Sequence, residues 1–296
     1  MEQSTEEKRQ DEIVEWECVL NEYFVIDGKK IDYKLFSYFL GLIYADGHFD
    51  IGPGNKSRVS IELAERDKDI IFKLNELLPI RSTVTSRTRD TNFKKNNTTY
   101  NFRICNMKFR DFLLSIGLIA GKKSYDLFVP TCSFSEIDFL RGFWDGDGSI
   151  GFKKDKFPFV GLVTKSEKMC KWVCDFIFKN IGHKIEVNRN KRDNVYNLSL
   201  VNEDAVKFSK LLYYDGCVSI NRKHMSAKEI LLWVRPSDST KREFQNRKWH
   251  KEDNEFILNH SIEESCDRFG VTELSIKMKL WRLEKEDEKQ LDIFEI

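Results

Sequence analysis

The chain has little of what marks several protein classes. Its 296 residues include only 5 Pro and 15 Gly, which excludes collagen-like and proline-rich scaffolds. No apolar run approaches the roughly 18–20 residues of a membrane span, and the polar, acidic start resembles neither a signal nor a transit peptide. The 7 Cys form no CxxC pair. We therefore expect reduced thiols and an intracellular protein that is neither secreted nor bound to a membrane.

An excess of charge of one sign is also missing. The 49 Lys and Arg residues nearly balance the 48 Asp and Glu residues, and the net charge is +1. Overall charge therefore neither supports nor excludes a nucleic-acid partner, and only its distribution can decide. A hydrophobic fraction of 41% is enough for a core, and the length predicts two or three domains.

The most informative feature is an internal repeat of about one hundred residues. The segment FLGLIYADGHF (39–49) resembles FLRGFWDGDGSI (139–150), and their aspartates, Asp46 and Asp147, lie 101 positions apart. A second pair of matching segments places Lys123 and Lys223 100 positions apart. Agreement between the two spacings indicates two copies of one fold.

Both copies predict the element order αββαββα, an α+β unit with helices on one face of a sheet. Helices are predicted at 34–46, 67–78, 107–117, 136–147, 166–180 and 203–213, and strands at 47–52, 57–64, 81–89, 98–105, 148–153, 157–164, 183–190 and 194–201. The predicted domains are an N-terminal extension at 1–29, repeats at 30–128 and 129–235, a linker at 236–248, a small all-α domain at 249–285 and an acidic tail at 286–296.

Small residues on the first helix of each copy predict how the copies meet. Gly41 and Ala45 are four apart, as are Gly142 and Gly146, so each pair leaves one helix face nearly bare. We expect the two bare faces to pack together. The glycines that follow the two aspartates, Gly47 and Gly148, are expected to be left-handed C-caps.

Packing of these helices would bring Asp46 and Asp147 side by side at two negative helix ends. The carboxylates would repel each other and the helix dipoles, so the pair favours a cation. Oxygen ligands suit Mg²⁺, with Ala45 and Gly146 as further candidate ligands, and paired carboxylates with metal are typical of phosphodiester hydrolysis. The alternative interpretation is that each Asp only caps a turn before a hairpin.

The two segments LGLIYADG (40–47) and LRGFWDGDG (140–148) resemble the two motifs of a single-chain LAGLIDADG homing endonuclease. The resemblance implies that Asp46 and Asp147 bind divalent metal and that the motif helices form the seam between the repeats. It also implies a basic residue near the active site after the third helix of each repeat. The candidates are Lys122 or Lys123 and Arg222 or Lys223. Residues that place water would fall near Glu65 and Thr164.

Basic charge concentrates where the sheets are predicted. Residues 81–123 hold ten basic and two acidic residues, a net charge of +8, and residues 183–223 have a net charge of +3. Arg, Asn and Thr alternate with apolar residues along the strands, so they share one face, and Arg and Asn can contact guanine and adenine edges. A solvated sheet face is the alternative. The candidate DNA-binding residues are His48, Arg58, Ser60, Glu62, Arg81, Thr83, Thr85, Arg87, Arg89, Asn101, Arg103, Ser149, Lys153, Lys184, Glu186, Asn188, Asn197 and Ser199.

The C-terminal segment 249–285 predicts three helices with Trp249 and Trp281 in their core. It resembles a helix-turn-helix, in which Lys277, Lys279 and Arg282 would lie on the groove-facing helix. Because the segment 237–285 has ten basic and ten acidic residues, a protein-binding or purely packing role is the alternative.

Together these observations predict a monomeric, Mg²⁺-dependent endonuclease that cuts both strands of double-stranded DNA at a long, partly palindromic site. One alternative is an RNA maturase that binds intron RNA, and another is a non-catalytic DNA-binding regulator on the same scaffold. An intein is not expected, since the chain starts with Met and ends without His-Asn.

Overall fold

The computed structural model describes residues 18–19, 23–26, 28–51, 57–90, 95–119, 127–154, 156–236 and 249–294, with the last helix's side chains described up to Leu283. The chain divides into two compact units, Met1–Arg235 and Pro236–Ile296. Among the helices of the described ranges, none is both long and apolar enough to cross a bilayer.

Three short antiparallel strands precede the first repeat, in a region where the sequence predicted no elements. They are β1 Cys18–Val19, β2 Tyr23–Ile26 and β3 Lys29–Asp32. Phe24 lies opposite Ile31 and both are buried. Phe24 also stacks on Tyr33 with 5.4 Å between ring centroids, so this small sheet packs on the aromatic core of the first repeat.

The first repeat has the predicted order of elements. They are α1 Tyr33–Asp46, β4 Gly47–Ile51, β5 Ser57–Ala64, α2 Lys68–Leu77, β6 Ser82–Arg89, β7 Asn97–Ile104 and α3 Met107–Ser115. The strands form an antiparallel sheet in the order β4-β5-β7-β6. Asp32 caps α1 by accepting a hydrogen bond from the Leu35 N–H at 2.7 Å.

The second repeat follows the same order with one strand fewer. Its elements are α4 Glu136–Asp147, β8 Gly148–Phe152, β9 Pro158–Thr164, α5 Glu167–Ile181, β10 Tyr196–Val201 and α6 Asn202–Leu212, and an unpredicted helix, α7 Asn221–Leu231, follows. The sheet order is β10-β9-β8. The α+β class and the two repeat units are thus confirmed.

The strand predicted at 183–190 is wrong. Within the described range 156–236 this segment makes only an isolated bridge, between Asn190 and Val195. Ile185 and Val187 still pack against the core while Lys184 and Glu186 point to solvent. Alternation of apolar and polar residues reports which side is buried, and here that pattern occurs without a strand ladder.

The seam between the repeats is a direct backbone contact between α1 and α4. A Cβ atom added to Gly41 would lie 2.0 Å from the Phe139 carbonyl oxygen, and one added to Gly142 would lie 2.0 Å from the Tyr38 carbonyl oxygen. Real Cβ atoms never come so close, so both positions require glycine. The predicted packing of the bare helix faces is confirmed.

The predicted left-handed C-caps are wrong. Gly47 and Gly148 have extended backbones, with φ of −67° and −84°. Glycine is needed there for space, because a Cβ would lie 2.3 Å from the Ile43 oxygen at Gly47 and 2.3 Å from Trp144 Cδ1 at Gly148. Each motif helix therefore turns directly into the strand that follows it.

The C-terminal unit contains helices α8 Lys251–Asn259, α9 Ile262–Phe269 and α10 Glu273–Phe294, so the predicted acidic tail is largely helical. Its core includes Ile257, Phe269 and Ile276, with Trp249 packed edge-on against Phe269. The prediction that Trp281 fills this core is wrong, since its side chain is 54% exposed. It shares an outward stripe of α10 with two other exposed residues, Leu274 and Met278.

Candidate active site

The two motif helices end side by side. Asp46 and Asp147 are the last residues of α1 and α4, and both are exposed. A Cβ added to Gly146 would lie 2.3 Å from the Ala45 Cβ and 3.0 Å from Asp46 Oδ2. The carboxylate of the first helix therefore lies directly against the last turn of the second.

The side chains and carbonyls at the two helix ends offer oxygen donors, which suit a hard divalent cation. Two helices that each end in an aspartate meet at their negative ends, and the seam brings the adjacent Ala45 and Gly146 together. Within the described residues no third acid, His or Cys joins them in a metal-binding group. A hard cation held by two carboxylates would take its remaining ligands from water or phosphate, which is how proteins usually hold Mg²⁺.

A cavity of about 230 Å³ opens beside Asp147. Tyr44 and Ala45 of the first repeat contribute to its wall, so the cavity spans the seam. Thr164, one of the predicted water-placing residues, also lines it, as does Lys165. The other predicted water-placing residue, Glu65, is exposed and pairs with Lys68 at 3.8 Å.

Lys223 lies beneath the helix ends and is buried. Its ammonium donates to the carbonyl oxygens of Trp144, Asp145 and Gly148 at 2.7, 2.6 and 2.7 Å. Three such bonds require the charged form, because a neutral amine has two hydrogens. Burial lowers the pKa of Lys223, while the carboxylates of Asp145 and Asp46 act in the opposite direction. Lys223 thus places a positive charge at the negative end of α4.

Asp145 is a buried carboxylate that the sequence analysis missed. It accepts hydrogen bonds from the hydroxyls of Tyr38 and Tyr213, each at 2.8 Å, and from the Ile220 N–H at 2.7 Å. Burial is the main cause of its raised pKa, and burial also raises the pKa of both tyrosines. Ile220 is the N-cap residue of α7, so Asp145 caps α7 while Lys223 of α7 caps α4.

A second buried charged pair lies one and two turns earlier on α4. The Arg141 guanidinium binds Asp138 and donates to the carbonyl oxygens of Val218 at 2.8 Å and Leu212 at 3.1 Å. Asp138 also accepts from the Tyr214 hydroxyl at 2.6 Å. Asp138, Arg141 and Asp145 follow an i, i+3, i+7 spacing on α4, so they share one face of the helix. That spacing is the sequence signal that could have identified them.

The other basic candidate, Arg222, joins the two repeats. Its guanidinium makes two 3.0 Å hydrogen bonds to the carboxylate of Asp67, which is largely buried. Asn221 donates to Asp69 at 3.1 Å beside this pair. The start of α7 is therefore tied to the start of α2. Lys122 and Lys123, the candidates in the first repeat, lie outside the described residues.

The outer face of the first sheet brings many predicted DNA-binding residues together. Strand register places His48, Ser60, Arg103 and Thr83 in one row across the four strands. The adjacent rows are Glu62, Asn101 and Thr85, then Thr99 and Arg87. Arg58, Arg81 and Arg89 are exposed on this sheet or next to it. The first repeat thus presents a polar face rich in Arg, Asn and Thr.

The outer face of the second sheet is different. Register places Ser149, Gly161 and Ser199 in one row, with Val163 and Asn197 in the next. Strands β8, β9 and β10 contain no Asp, Glu, Lys, Arg or His. The predicted Lys153, Lys184, Glu186 and Asn188 are exposed beyond these strands, and Lys184 pairs with Glu186 at 3.0 Å.

In the C-terminal unit, Lys277 and Arg282 are exposed on α10 and Lys279 is half-buried. Lys277 pairs with Glu273 at 2.6 Å. A DNA-binding role for these three residues remains a prediction.

The structure thus contains two pseudo-equivalent α+β repeats that meet along helices ending in Asp46 and Asp147. The profile of the LAGLIDADG-like domain matches residues 34–117 and 135–212, more than half of the chain. The chain therefore belongs to the LAGLIDADG family.

Solved structures of this family resemble the chain. The homing endonuclease I-WcaI, bound to its DNA recognition sequence, is 12% identical over 67% of this chain and 87% of that chain, with a TM-score of 0.50, which supports the fold. Mesophilic variants of the homing endonuclease I-DmoI are 18% identical over 67% of this chain and 98% of that chain, with a TM-score of 0.44. Comparison with curated proteins gives no match.

Proposed function

We propose that this protein is a site-specific endonuclease that cuts both strands of double-stranded DNA as a monomer with Mg²⁺. One observation carries the proposal: two helices packed backbone to backbone end in Asp46 and Asp147, with the Asp46 carboxylate against Gly146. Because one chain supplies both acids, a second copy is not needed to complete the site.

In this proposal Asp46 and Asp147 hold the metal, and the carbonyls of Ala45 and Gly146 are further candidate ligands. Bound Mg²⁺ would supply an activated water and stabilise the leaving oxygen of the phosphodiester. The exposed position of both carboxylates leaves the site open to a DNA backbone. Lys223 and Asp145 do not face the substrate in this arrangement; they position the end of α4, and with it Asp147.

The proposed partner is duplex DNA, as in the solved relative whose structure contains its recognition sequence. The two sheets would lie along the groove on either side of the acidic site. Arg residues on the first sheet and Lys residues around the second offer positive charge to phosphates and hydrogen-bond donors to the edges of bases. Different outer faces on the two sheets favour a target that is only partly palindromic.

The test is cleavage of a randomised duplex library by the full chain. Samples with Mg²⁺ are compared with EDTA and with the double variant Asp46→Asn/Asp147→Asn. We expect metal-dependent cuts at one long sequence that the double variant does not make. If the folded chain binds duplex DNA but never cuts it, the endonuclease proposal fails and a DNA-binding regulator replaces it. Preferred binding of folded intron RNA would instead indicate a maturase.

A further inference from the structure

The start of α2 contains a buried carboxylate that does not cap its own helix. Asp67 is the N-cap residue of α2, a position where an aspartate usually accepts a hydrogen bond from a backbone N–H of the first turn. Its side chain makes no such bond. Instead the guanidinium of Arg222, which belongs to the other repeat, donates to both carboxylate oxygens at 3.0 Å. The carboxylate therefore connects the two repeats rather than stabilising its own helix.

The partner of this carboxylate belongs to a segment that also supports the proposed metal site. Arg222 is followed by Lys223, whose ammonium binds three carbonyl oxygens at the end of α4, around Asp147. Arg222 is preceded by Asn221, which donates to Asp69 at 3.1 Å. Three consecutive residues of α7 thus connect the start of α2 to the end of the helix that carries Asp147.

The start of α2 lies at the end of the first sheet where α1 also ends. Gly47 pairs with Ile61 in the antiparallel ladder of β4 and β5. The chain after Ile61 therefore continues beyond the start of β4 and enters α2 through a short 3-10 turn, Glu65–Asp67. Glu65, the predicted water-placing residue of the first repeat, begins this turn, and Asp67 ends it. The ion pair therefore anchors the turn that carries Glu65.

The second repeat holds the equivalent turn without an ion pair. Ser166 is the N-cap residue of α5, as Asp67 is of α2. The Ser166 hydroxyl accepts a hydrogen bond from the Met169 N–H at 3.2 Å, which caps α5, and donates to the carbonyl oxygen of Leu127 in the first repeat. Each repeat thus holds the second helix of the other, by a charged pair on one side and by a neutral hydrogen bond on the other.

We propose that Asp67 is a positioning residue that, through Arg222, aligns the half of the active site beside Asp46 for cleavage of one DNA strand. This inference rests on the proposed function. Loss of the ion pair would release the turn at 65–67, while the neutral bonds of Ser166 would keep the other half in place. A displacement of about 1 Å in an active site can slow a reaction about 100-fold, so one strand should be cut more slowly than the other.

The experiment measures cleavage with Mg²⁺ of a duplex that carries the site cut by wild type and a different label on each strand. The variants are Asp67→Asn, Arg222→Lys and their double variant. Ser166→Ala is the matched variant in the other repeat. Arg66→Ala controls for a general change of charge, because its exposed guanidinium lies 3.5 Å from the same carboxylate. Thermal melting verifies folding, and duplex binding in EDTA measures DNA affinity separately.

We expect Asp67→Asn to slow cleavage of one strand roughly 10- to 100-fold while the other strand is cut nearly as in wild type, so that nicked duplex accumulates. Arg222→Lys keeps the charge but loses the paired geometry, and it should slow the same strand. The double variant should be no slower than the slower single variant, because both changes act on one contact. Ser166→Ala should slow the opposite strand, and Arg66→Ala should slow neither.

Equal slowing of both strands by Asp67→Asn would overturn the inference, because the ion pair would then be a general support of the fold or of DNA binding. Unchanged cleavage of both strands would overturn it too, as would additive losses in the double variant, which would give Arg222 a separate role. If wild type cuts neither strand of any duplex, the proposed function fails and the inference falls with it. If Asp67→Asn does not fold, Arg222→Lys decides by the same criterion.

Discussion

The two motif helices perform the same structural task with different side chains. At three positions that are 101 residues apart, α1 has Ser37, Leu40 and Tyr44, and α4 has Asp138, Arg141 and Asp145. All six are buried. The same backbone contact and the same terminal acid are therefore supported by an apolar helix in one repeat and by an ionic network in the other.

The aromatic surroundings of α1 and the ionic surroundings of α4 contribute differently to stability. Around α1, Phe36, Phe39 and Phe109 form a cluster with ring centroids 6.0 to 6.5 Å apart, which gains stability by excluding water. Around α4, each charge needs its partner, because a buried charge left alone is strongly unfavourable. We therefore expect the ionic network to fix the geometry of α4 more than it adds net stability.

The largest effect is expected at the contact that both helices share. Gly142→Ala would drive a Cβ into the Tyr38 carbonyl at 2.0 Å, so we expect a loss of about 3 kcal/mol or more of the free energy of unfolding. Gly151→Ala is the matched control, because its Cβ would meet only Phe159 Cε1 at 3.8 Å. Urea unfolding measures both. Equal stability of the two variants would contradict a backbone seam.

The next largest effect is expected when the buried ion pair of α4 is replaced by the residues found at the same positions of α1. Arg141→Leu leaves Asp138 buried without its cation and should cost about 3–5 kcal/mol. The double variant Asp138→Ser/Arg141→Leu adopts the residues of α1 and should recover at least half of that loss. Thermal unfolding provides the comparison. A double variant no more stable than Arg141→Leu would mean that the two repeats do not have interchangeable cores.

Removing the charge beneath α4 should have a smaller effect. Lys223→Met leaves the carbonyls of Trp144, Asp145 and Gly148 without their donor, and we expect a loss of about 2 kcal/mol. Lys228→Met, on the exposed side of the same helix, should be nearly neutral. Chemical denaturation of both variants measures this difference, and a neutral Lys223→Met would argue against its capping role.

The smallest effect is a dependence on pH in the second repeat. His224 contacts Ser219 at 2.8 Å, and burial is the main cause of its lowered pKa. The unfolded chain takes up a proton near pH 6.5 while the folded chain resists it, so this contribution is complete above pH 6.5 and is lost as the pH falls through the folded value. His224→Gln should flatten this part of the stability profile. An unchanged profile would contradict the prediction.

Much of this fold follows from local patterns in the sequence. Both motif helices and seven of the eight predicted strands were identified from apolar spacing, because burial of one face imposes that spacing. The bare helix faces were identified from small residues four apart. The strand predicted at 183–190 does not form, because alternation of apolar and polar residues does not ensure a hydrogen-bonded neighbouring strand. The sequence could not predict that Asp145 caps α7 while Lys223 caps α4, because both contacts depend on where α7 docks.

The most direct test of the central claim treats the two acids separately. Asp46→Asn and Asp147→Asn are assayed with Mg²⁺ on a duplex labelled on each strand, alongside DNA binding. A composite site predicts that each variant binds DNA nearly as wild type does but loses cleavage of at least one strand. Full cleavage of both strands by either variant would contradict the assignment, and loss of folding in both would make the aspartates structural caps instead.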